Sequence, residues 1–165
     1  MSIILLAGLH NAGKSTVGLT MRYEVPRVSF MDLDNIHWFL PAEIPLEEAM
    51  TIIVDNATML AADYIGRGYR IVMTYFFTKD MATALTERLA PLQVPVTTII
   101  LKPRFELLVT NRGTRELGPW EIDAIHERQA AGWYAEEFAP VIDNSEQTPQ
   151  ETVAQVMALA NWTQN

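Results

Sequence analysis

The stretch Gly8–Ser15 (GLHNAGKS) decides the fold of this chain of 165 residues. It has the pattern G-x-x-x-x-G-K-[ST], in which glycines allow consecutive backbone N–H groups to turn toward an anion. An apolar run, residues 2–7, precedes the stretch, and residues 14–24 follow it with a helix-like sequence. The order of strand, glycine loop and helix predicts a phosphate-binding loop, because the helix dipole attracts anions at the same point.

This loop supplies most of the predicted nucleotide site. We expect Lys14 to reach the β- and γ-phosphates and the Ser15 hydroxyl to bind Mg²⁺. The residues of the loop predicted to bind the nucleotide are Gly8, Asn11, Ala12, Gly13, Lys14, Ser15 and Thr16. The motif therefore predicts binding of a nucleoside triphosphate.

Composition restricts the class of protein. The length predicts one domain, and 49% apolar with 19% charged residues is typical of a globular protein. The absence of cysteine excludes disulfides, thiolate zinc sites and cysteine nucleophiles, and it is compatible with the cytoplasmic location that we expect. A net charge of −8 argues against nucleic acid as a partner. No apolar run approaches transmembrane length, so we expect no membrane partner.

Apolar strand-like runs alternate with helix-like stretches along the chain. Strands are predicted over residues 2–7, 27–31, 70–77, 96–101 and 141–142. Helices are predicted over residues 14–24, 46–64 and 79–89, from Thr148-Pro149 onward, and over 104–138 with interruptions at Gly113 and Gly118-Pro119. Apolar strands without alternation predict a parallel sheet with helices on both faces and ligands at the carboxyl ends of the strands.

Two carboxylates follow the second predicted strand, near the expected position of the γ-phosphate. Alternate residues of an extended segment point the same way, so Asp32 and Asp34 can both line the crevice. We expect Asp32 to serve the metal or act as the base, and Asp34 to serve the acceptor. The alternative for Asp34 is to cap a short helix that starts at Asn35. The third strand ends in Thr74-Tyr75 instead of the usual metal-linked Asp, so this pair takes over that duty or the protein hydrolyses nucleotide poorly.

Arginines and aromatic residues supply the remaining candidates. Arg112 and Arg115 lie three residues apart, before the Gly118-Pro119 break, and guanidinium groups suit phosphate contacts; the alternative is a solvated helix face. Arg128 is a weaker candidate of the same kind. We expect His10 to face solvent. The cluster Trp38–Leu40 either walls an acceptor pocket or belongs to the core.

These features together resemble the small P-loop kinases, a group that includes shikimate kinase, gluconate kinase, adenylylsulfate kinase and chloramphenicol phosphotransferase. The resemblance covers nearly the whole chain. It implies a three-layer α/β P-loop NTPase fold, with a five-stranded parallel sheet of strand order 2-3-1-4-5. It also implies a single domain over residues 1–165 with a small arginine-bearing lid at about residues 112–135.

The resemblance further implies transfer of the γ-phosphate of ATP, with Mg²⁺, to a small hydroxyl or phosphate acceptor such as a metabolite, nucleoside or nucleotide. The residues implied to be catalytic are Lys14, Asp32, Asp34 and Arg115. Those implied to contact the nucleotide outside the loop are Arg112, Asn144 and Thr148. The third strand lacks the glycine run with which shikimate kinase holds its substrate, which argues against shikimate, and an N-K-x-D pattern for guanine is absent.

A second hypothesis is a nucleotide-binding switch or weak ATPase that acts through a protein partner. The discriminating feature is an acceptor cavity between Asp34, the cluster Trp38–Leu40 and Tyr75, which a kinase needs and a switch does not. For either hypothesis we expect a monomer or a homodimer.

Overall fold

The computed structural model describes residues 1–111, 116–135 and 137–162. The strands in these ranges are β1 (Ile3–Ala7), β2 (Val28–Asp32), β3 (Arg70–Thr74), β4 (Val96–Leu101) and β5 (Val141–Ile142). The α-helices in the same ranges are α1 (Lys14–Glu24), α2 (Asp34–His37), α3 (Leu46–Gly66), α4 (Lys79–Leu89), α5 (Phe105–Leu108), α6 (Pro119–Ala130) and α7 (Pro149–Leu159). A single 3₁₀ turn, Ala90–Leu92, follows α4.

The five strands form one parallel sheet in the order β2-β3-β1-β4-β5, which confirms the predicted order. The central strand β1 pairs with β3 on one side and β4 on the other, and all five of its residues are fully buried. Such a strand needs an unbroken apolar sequence, because both of its faces meet helices. The order places the loop after β1 between the ends of β3 and β4.

Helices cover the two faces of the sheet. Helix α1 packs against α7, and α3 packs against α4. Right-handed crossovers place α1 opposite α3 and α4, because the chain moves from β1 to β2 in one direction and back across the sheet afterwards. Helix α3 turns a stripe of residues toward the core: Ala49, Ile53, Ala57, Ala61 and Ile65. None of the helices in the described ranges has the length and apolar character that a membrane span requires.

Several predicted boundaries differ in the structure, and three of them bear on the site. β3 ends at Thr74 and not at Phe77, since its pairing ends at Thr74 with both neighbours, opposite Leu6 of β1 and Asp32 of β2. The short helix after β2 begins at Asp34 and not at Asn35. The helical pattern over residues 104–138 resolves, within the described residues, into the single turn α5 and the longer helix α6, which has Pro119 in its first turn.

Candidate active site

The loop between β1 and α1 has the backbone that its glycines predict. Gly8 has a φ of +148°, and a Cβ there would lie 2.6 Å from the Leu101 carbonyl oxygen. Gly13 has a φ of +91°, in the left-handed region, directly before α1. Both conformations favour glycine, so a side chain at either position would strain the backbone of the loop.

Asn11 fastens the loop to α5. Its backbone has a φ of +60°, a conformation that asparagine tolerates better than most residues. Its Nδ2 donates to the carbonyl oxygens of Leu107, Leu108 and Thr110 at 3.1, 3.0 and 2.9 Å. These carbonyls lie at the C-terminal end of α5, where helical partners are missing. The side chain of Asn11 therefore holds the loop in place, and the role of Asn11 in nucleotide binding remains a prediction.

Lys14 is a buried cation inside the loop. Only 8% of the residue is exposed, and its Nζ donates to the carbonyl oxygens of Gly8 and Leu9, both at 2.9 Å. The ammonium group thus lies across the loop, beside the N-terminus of α1. A buried positive charge at a helix N-terminus is suited to an anionic ligand.

Ser15 and Asp32, the two predicted metal ligands, lie together at the mouth of the loop. The Ser15 hydroxyl donates to Oδ2 of Asp32 at 2.7 Å, and the backbone N–H of Asp34 donates to Oδ1 of Asp32 at 3.3 Å. A hydroxyl and one carboxylate suit Mg²⁺, which prefers oxygen ligands and keeps several waters. Among the described residues no group of three or more His, Asp or Glu side chains converges on a metal position, so a fully protein-ligated site is not built there.

Asp34 is the most perturbed carboxylate of the site. Burial raises its pKa above the ordinary value, and the negative charge of Asp32 raises it further. Lys14, His37 and Arg128 oppose the shift with their positive charges. A carboxylate with a raised pKa is a stronger proton acceptor, which suits the role predicted for Asp34 beside an acceptor hydroxyl.

Arg128 contributes a positive charge on the other side of the loop. Its Nη1 lies 2.7 Å from Nδ1 of His10, and its guanidinium carbon lies 5.2 Å from the ring centre of Phe76 and 5.4 Å from that of Trp133. A guanidinium only donates hydrogen bonds, so Nδ1 of His10 is the acceptor in this pair. His10 also contacts the edge of Trp120. His10 is therefore half-buried, and only part of it faces solvent as predicted.

The segment between β5 and α7 meets the loop from its opposite side. Asn144 is 4% exposed, and its Nδ2 donates to the Ala12 carbonyl oxygen at 3.0 Å. Thr148 caps α7: its Oγ1 accepts from the backbone N–H of Glu151, whose carboxylate accepts from the backbone N–H of Thr148. Asn144 thus stabilises the loop directly, whereas Thr148 stabilises the N-terminus of α7.

Arg112 and Arg115 lie outside the described residues. Their predicted roles, nucleotide contact for Arg112 and catalysis for Arg115, remain predictions.

Comparison with known proteins gives matches among solved structures. No family model matches the chain, and no curated protein matches it. The chain is similar to a gluconokinase from Sinorhizobium meliloti 1021 with a TM-score of 0.71 and 16% identity, over 97% of this chain and 91% of that one. A sugar kinase from Janibacter sp. HTCC2649 gives 0.69 and 17%, over 99% and 96%. The APS kinase of Mycobacterium tuberculosis gives 0.62 and 14%, over 97% of each chain. This chain has the fold of the small P-loop kinases.

In this P-loop kinase fold the loop opens into a cleft of about 1030 Å³. Asp34, Trp38, Leu40 and Phe76 are among the residues that line it, so the cavity that discriminates the two hypotheses is present. Two details differ from the prediction. Tyr75 is fully buried behind Phe76, against which it stacks, and does not line the cleft. Phe39 is 86% exposed and does not line the cleft.

Tyr134 is a site residue that the sequence did not reveal. Its hydroxyl accepts from the backbone N–H of Gly8 at 3.1 Å and donates to the carbonyl oxygen of Phe77 at 2.8 Å. It therefore ties the first residue of the phosphate loop to the segment after β3. Burial raises its pKa, so the hydroxyl keeps its proton and can act as this donor. A tyrosine 126 residues from its partner has no periodicity or spacing that would predict the contact.

Arg128, by contrast, was already a weaker candidate from the sequence, and its position on α6 supports that choice. Glu121 and Ile125 are the buried residues of α6, and Arg128 follows Ile125 by three positions on the same helical face. The inward face of α6 thus identifies Arg128 as the arginine of this helix that points into the molecule.

Proposed function

We propose that this protein is a phosphotransferase that uses ATP and Mg²⁺ and moves the γ-phosphate to a small acceptor with a hydroxyl or phosphate group. One observation carries the proposal: a single cleft joins the loop residues Lys14 and Ser15 to the paired carboxylates Asp32 and Asp34. It continues beyond them to an aromatic wall, which we define as Trp38, Phe76 and Trp120. A switch or simple ATPase needs the phosphate loop and the carboxylates but not the aromatic wall. The similar structures named gluconokinase, sugar kinase and APS kinase support the same class of reaction.

The loop Gly8–Ser15 is proposed to hold the phosphates of ATP. Lys14 and the backbone N–H groups at the start of α1 are the binding groups. Ser15 and Asp32 would hold Mg²⁺, which neutralises charge on the phosphates when it is bound. Arg112 and Arg115 belong to the proposal as lid residues that close over the nucleotide, with Arg115 placed at the phosphates.

Asp34 is the proposed proton acceptor. As the acceptor oxygen bonds to the γ-phosphorus, the bond from that phosphorus to the bridging oxygen of ADP breaks, and the hydroxyl proton passes to Asp34. Its burial and the nearby charge of Asp32 raise its proton affinity without removing it from the cleft. Positioning of the reactants and neutralisation of charge provide most of the catalysis in such transfers.

One feature favours the alternative of a nucleotide-binding switch or weak ATPase. The last residue of β3 is Thr74, a buried residue, at the place where many P-loop proteins carry a metal-linked Asp. In our proposal Asp32 on the neighbouring strand replaces it, because Thr74 pairs with Asp32 in the sheet and Asp32 contacts Ser15. We also propose one domain over residues 1–165 with a lid at about 112–135, a cytoplasmic location, and a monomeric or homodimeric state.

The test compares Lys14→Ala with Lys79→Ala. Lys79 is exposed at the start of α4 and does not line the cleft, so its variant controls for loss of a lysine. Binding of fluorescent MgATP and formation of ADP with pools of metabolites and nucleosides are measured on both. We expect Lys14→Ala to lose binding and transfer while the far-ultraviolet circular dichroism stays unchanged, and Lys79→Ala to match the wild type. Tight MgATP binding by Lys14→Ala would refute the site, and ADP formation that no acceptor increases would favour the ATPase.

A further inference from the structure

The two ends of the cleft are distinguishable from the sheet order. The segment before α7 and the first turn of α7 lie on the β5 side of the loop, where Gln147, Pro149 and Thr152 line the cleft. Asp32 and Asp34 lie on the β2 side. Because Ser15 bonds to Asp32, the metal-binding end of the loop faces β2. The terminal phosphate therefore points toward β2 and β3, and the space beyond it on that side is the acceptor end.

Aromatic and aliphatic side chains dominate the acceptor end. Trp38 follows α2 and is 78% exposed, Trp120 starts α6 and is 61% exposed, and Phe76 follows β3. All three line the cleft, together with Leu40 and Leu46. Large exposed aromatic residues that converge from three separate segments on one cleft are the usual composition of a small-molecule pocket.

Among the residues that the structure describes, few positively charged side chains line this end. Lys14 and Arg128 are the only lysine or arginine side chains among the described residues that line the cleft, and Lys14 belongs to the phosphate loop. Arg128 is already hydrogen-bonded to His10 and lies over Phe76 and Trp133. A phosphorylated acceptor would bring up to about two further negative charges beside Asp34. The described lining offers one guanidinium against them.

The cleft is at the upper end of the size range of small-molecule pockets. Such pockets measure about 300–1,000 Å³. The cleft measures about 1030 Å³ and extends from the phosphate loop to Trp38, Phe76 and Trp120.

We propose that the acceptor is a hydroxyl compound without phosphate groups that carries a flat apolar ring, such as a nucleoside or an aryl glycoside, and that Trp38 and Trp120 hold this ring. The inference rests on the proposed phosphotransferase function and specifies its substrate class. The ring packs on the indoles while its hydroxyl faces Asp34. The acceptor oxygen gains the phosphoryl group of ATP, ADP leaves, and Asp34 takes up the hydroxyl proton.

The experiment uses two sets of acceptors with the wild-type protein, ATP and Mg²⁺. The first set contains nucleosides and phenyl glycosides, and the second contains nucleoside monophosphates and sugar phosphates. ADP formation above the acceptor-free rate and gain of one phosphoryl group by mass spectrometry are recorded. We expect transfer to members of the first set and none to the second.

Trp38→Ala and Phe39→Ala are the matched variants. Both remove an exposed aromatic side chain from the same segment, but only Trp38 lines the cleft. For an acceptor found in the first set, we expect Trp38→Ala to raise the KM of the acceptor about tenfold, which is the loss of roughly one stacking contact, with little change in the KM of ATP. We expect Phe39→Ala to retain wild-type values.

Each outcome decides the proposal. Transfer confined to phosphorylated acceptors, or equal effects of the two variants on the acceptor KM, would overturn the substrate class and leave the phosphotransferase function intact. Binding of MgATP without transfer to any member of either set would contradict both. A rise in the KM of ATP instead of the acceptor KM would place Trp38 at the nucleotide and overturn the assignment of the two ends.

Discussion

Replacement of Tyr134 by Phe removes one hydroxyl that joins the phosphate loop to the segment after β3. The variant leaves the buried N–H of Gly8 without its acceptor and the carbonyl oxygen of Phe77 without its donor. An unsatisfied buried polar group costs about 1–3 kcal/mol, and an ordinary hydrogen bond contributes about 1 kcal/mol. We therefore expect the free energy of unfolding to fall by about 2 kcal/mol, which for a chain of this size lowers Tm by about 4–8 °C.

Urea unfolding followed by fluorescence and circular dichroism measures this change, and an unaltered m-value shows that the folded state stays equally compact. Tyr23→Phe is the matched control, because Tyr23 is 77% exposed on α1. We expect the control to differ from the wild type by less than about 0.5 kcal/mol. A similarly small change in Tyr134→Phe would refute the view that this hydroxyl fixes the loop.

Three further predictions test other parts of the structure. Gly18→Ala should lower the free energy of unfolding by about 1–3 kcal/mol in urea titrations, because its Cβ would lie 2.3 Å from the ring of Phe30, whereas Gly66→Ala, with open space around the Cβ, should be neutral or stabilising. Thr148→Ala should lower the free energy of unfolding by about 1 kcal/mol in urea titrations through the lost helix cap; an unchanged free energy of unfolding would contradict this. Asp34→Asn should stabilise the protein at neutral pH in EDTA without nucleotide, because the raised pKa means that the folded state binds the proton more tightly and loses stability as pH rises through that pKa. The difference should vanish at acid pH, where Asp34 is protonated in both states; a pH-independent difference would argue against the raised pKa.

Much of the fold followed from the sequence. Helices α1 and α4 and strands β4 and β5 have the predicted bounds, because a glycine, proline or polar residue lies within two positions beyond each of their ends. The end of β3 could not be predicted in the same way. Tyr75, Phe76 and Phe77 continue the apolar run, but the pairing of β3 with β1 and with β2 ends at Thr74. A strand end that depends on its neighbour leaves no mark in its own sequence.

The contacts around the loop are likewise of two kinds, those that a local sequence pattern predicts and those that it does not. Ser15 and Asp32 were predicted to share a metal site, and the structure brings them together through a hydrogen bond. Both lie next to features with a local pattern, the glycine loop and the end of an apolar strand. The contacts of Arg128 with His10 and of Tyr134 with Gly8 join residues more than a hundred positions apart. The fold brings these pairs together, and no local pattern records them.

The two ends of the cleft thus differ in how the sequence builds them. One end comes from a single stretch of sequence and the other from three separate segments, so similarity to kinases at one end does not imply similarity at the other. The proposed phosphate end comes from eight consecutive residues with a recognisable pattern. The proposed acceptor end is assembled from the segments around Trp38, Phe76 and Trp120, whose sequences are equally compatible with core or helix. Side chains on such segments can change without disturbing the loop. Structures that share 14–17% identity with this chain have the same fold. If the proposed function is correct, Trp38, Phe76 and Trp120, more than the fold, should determine which acceptor is phosphorylated.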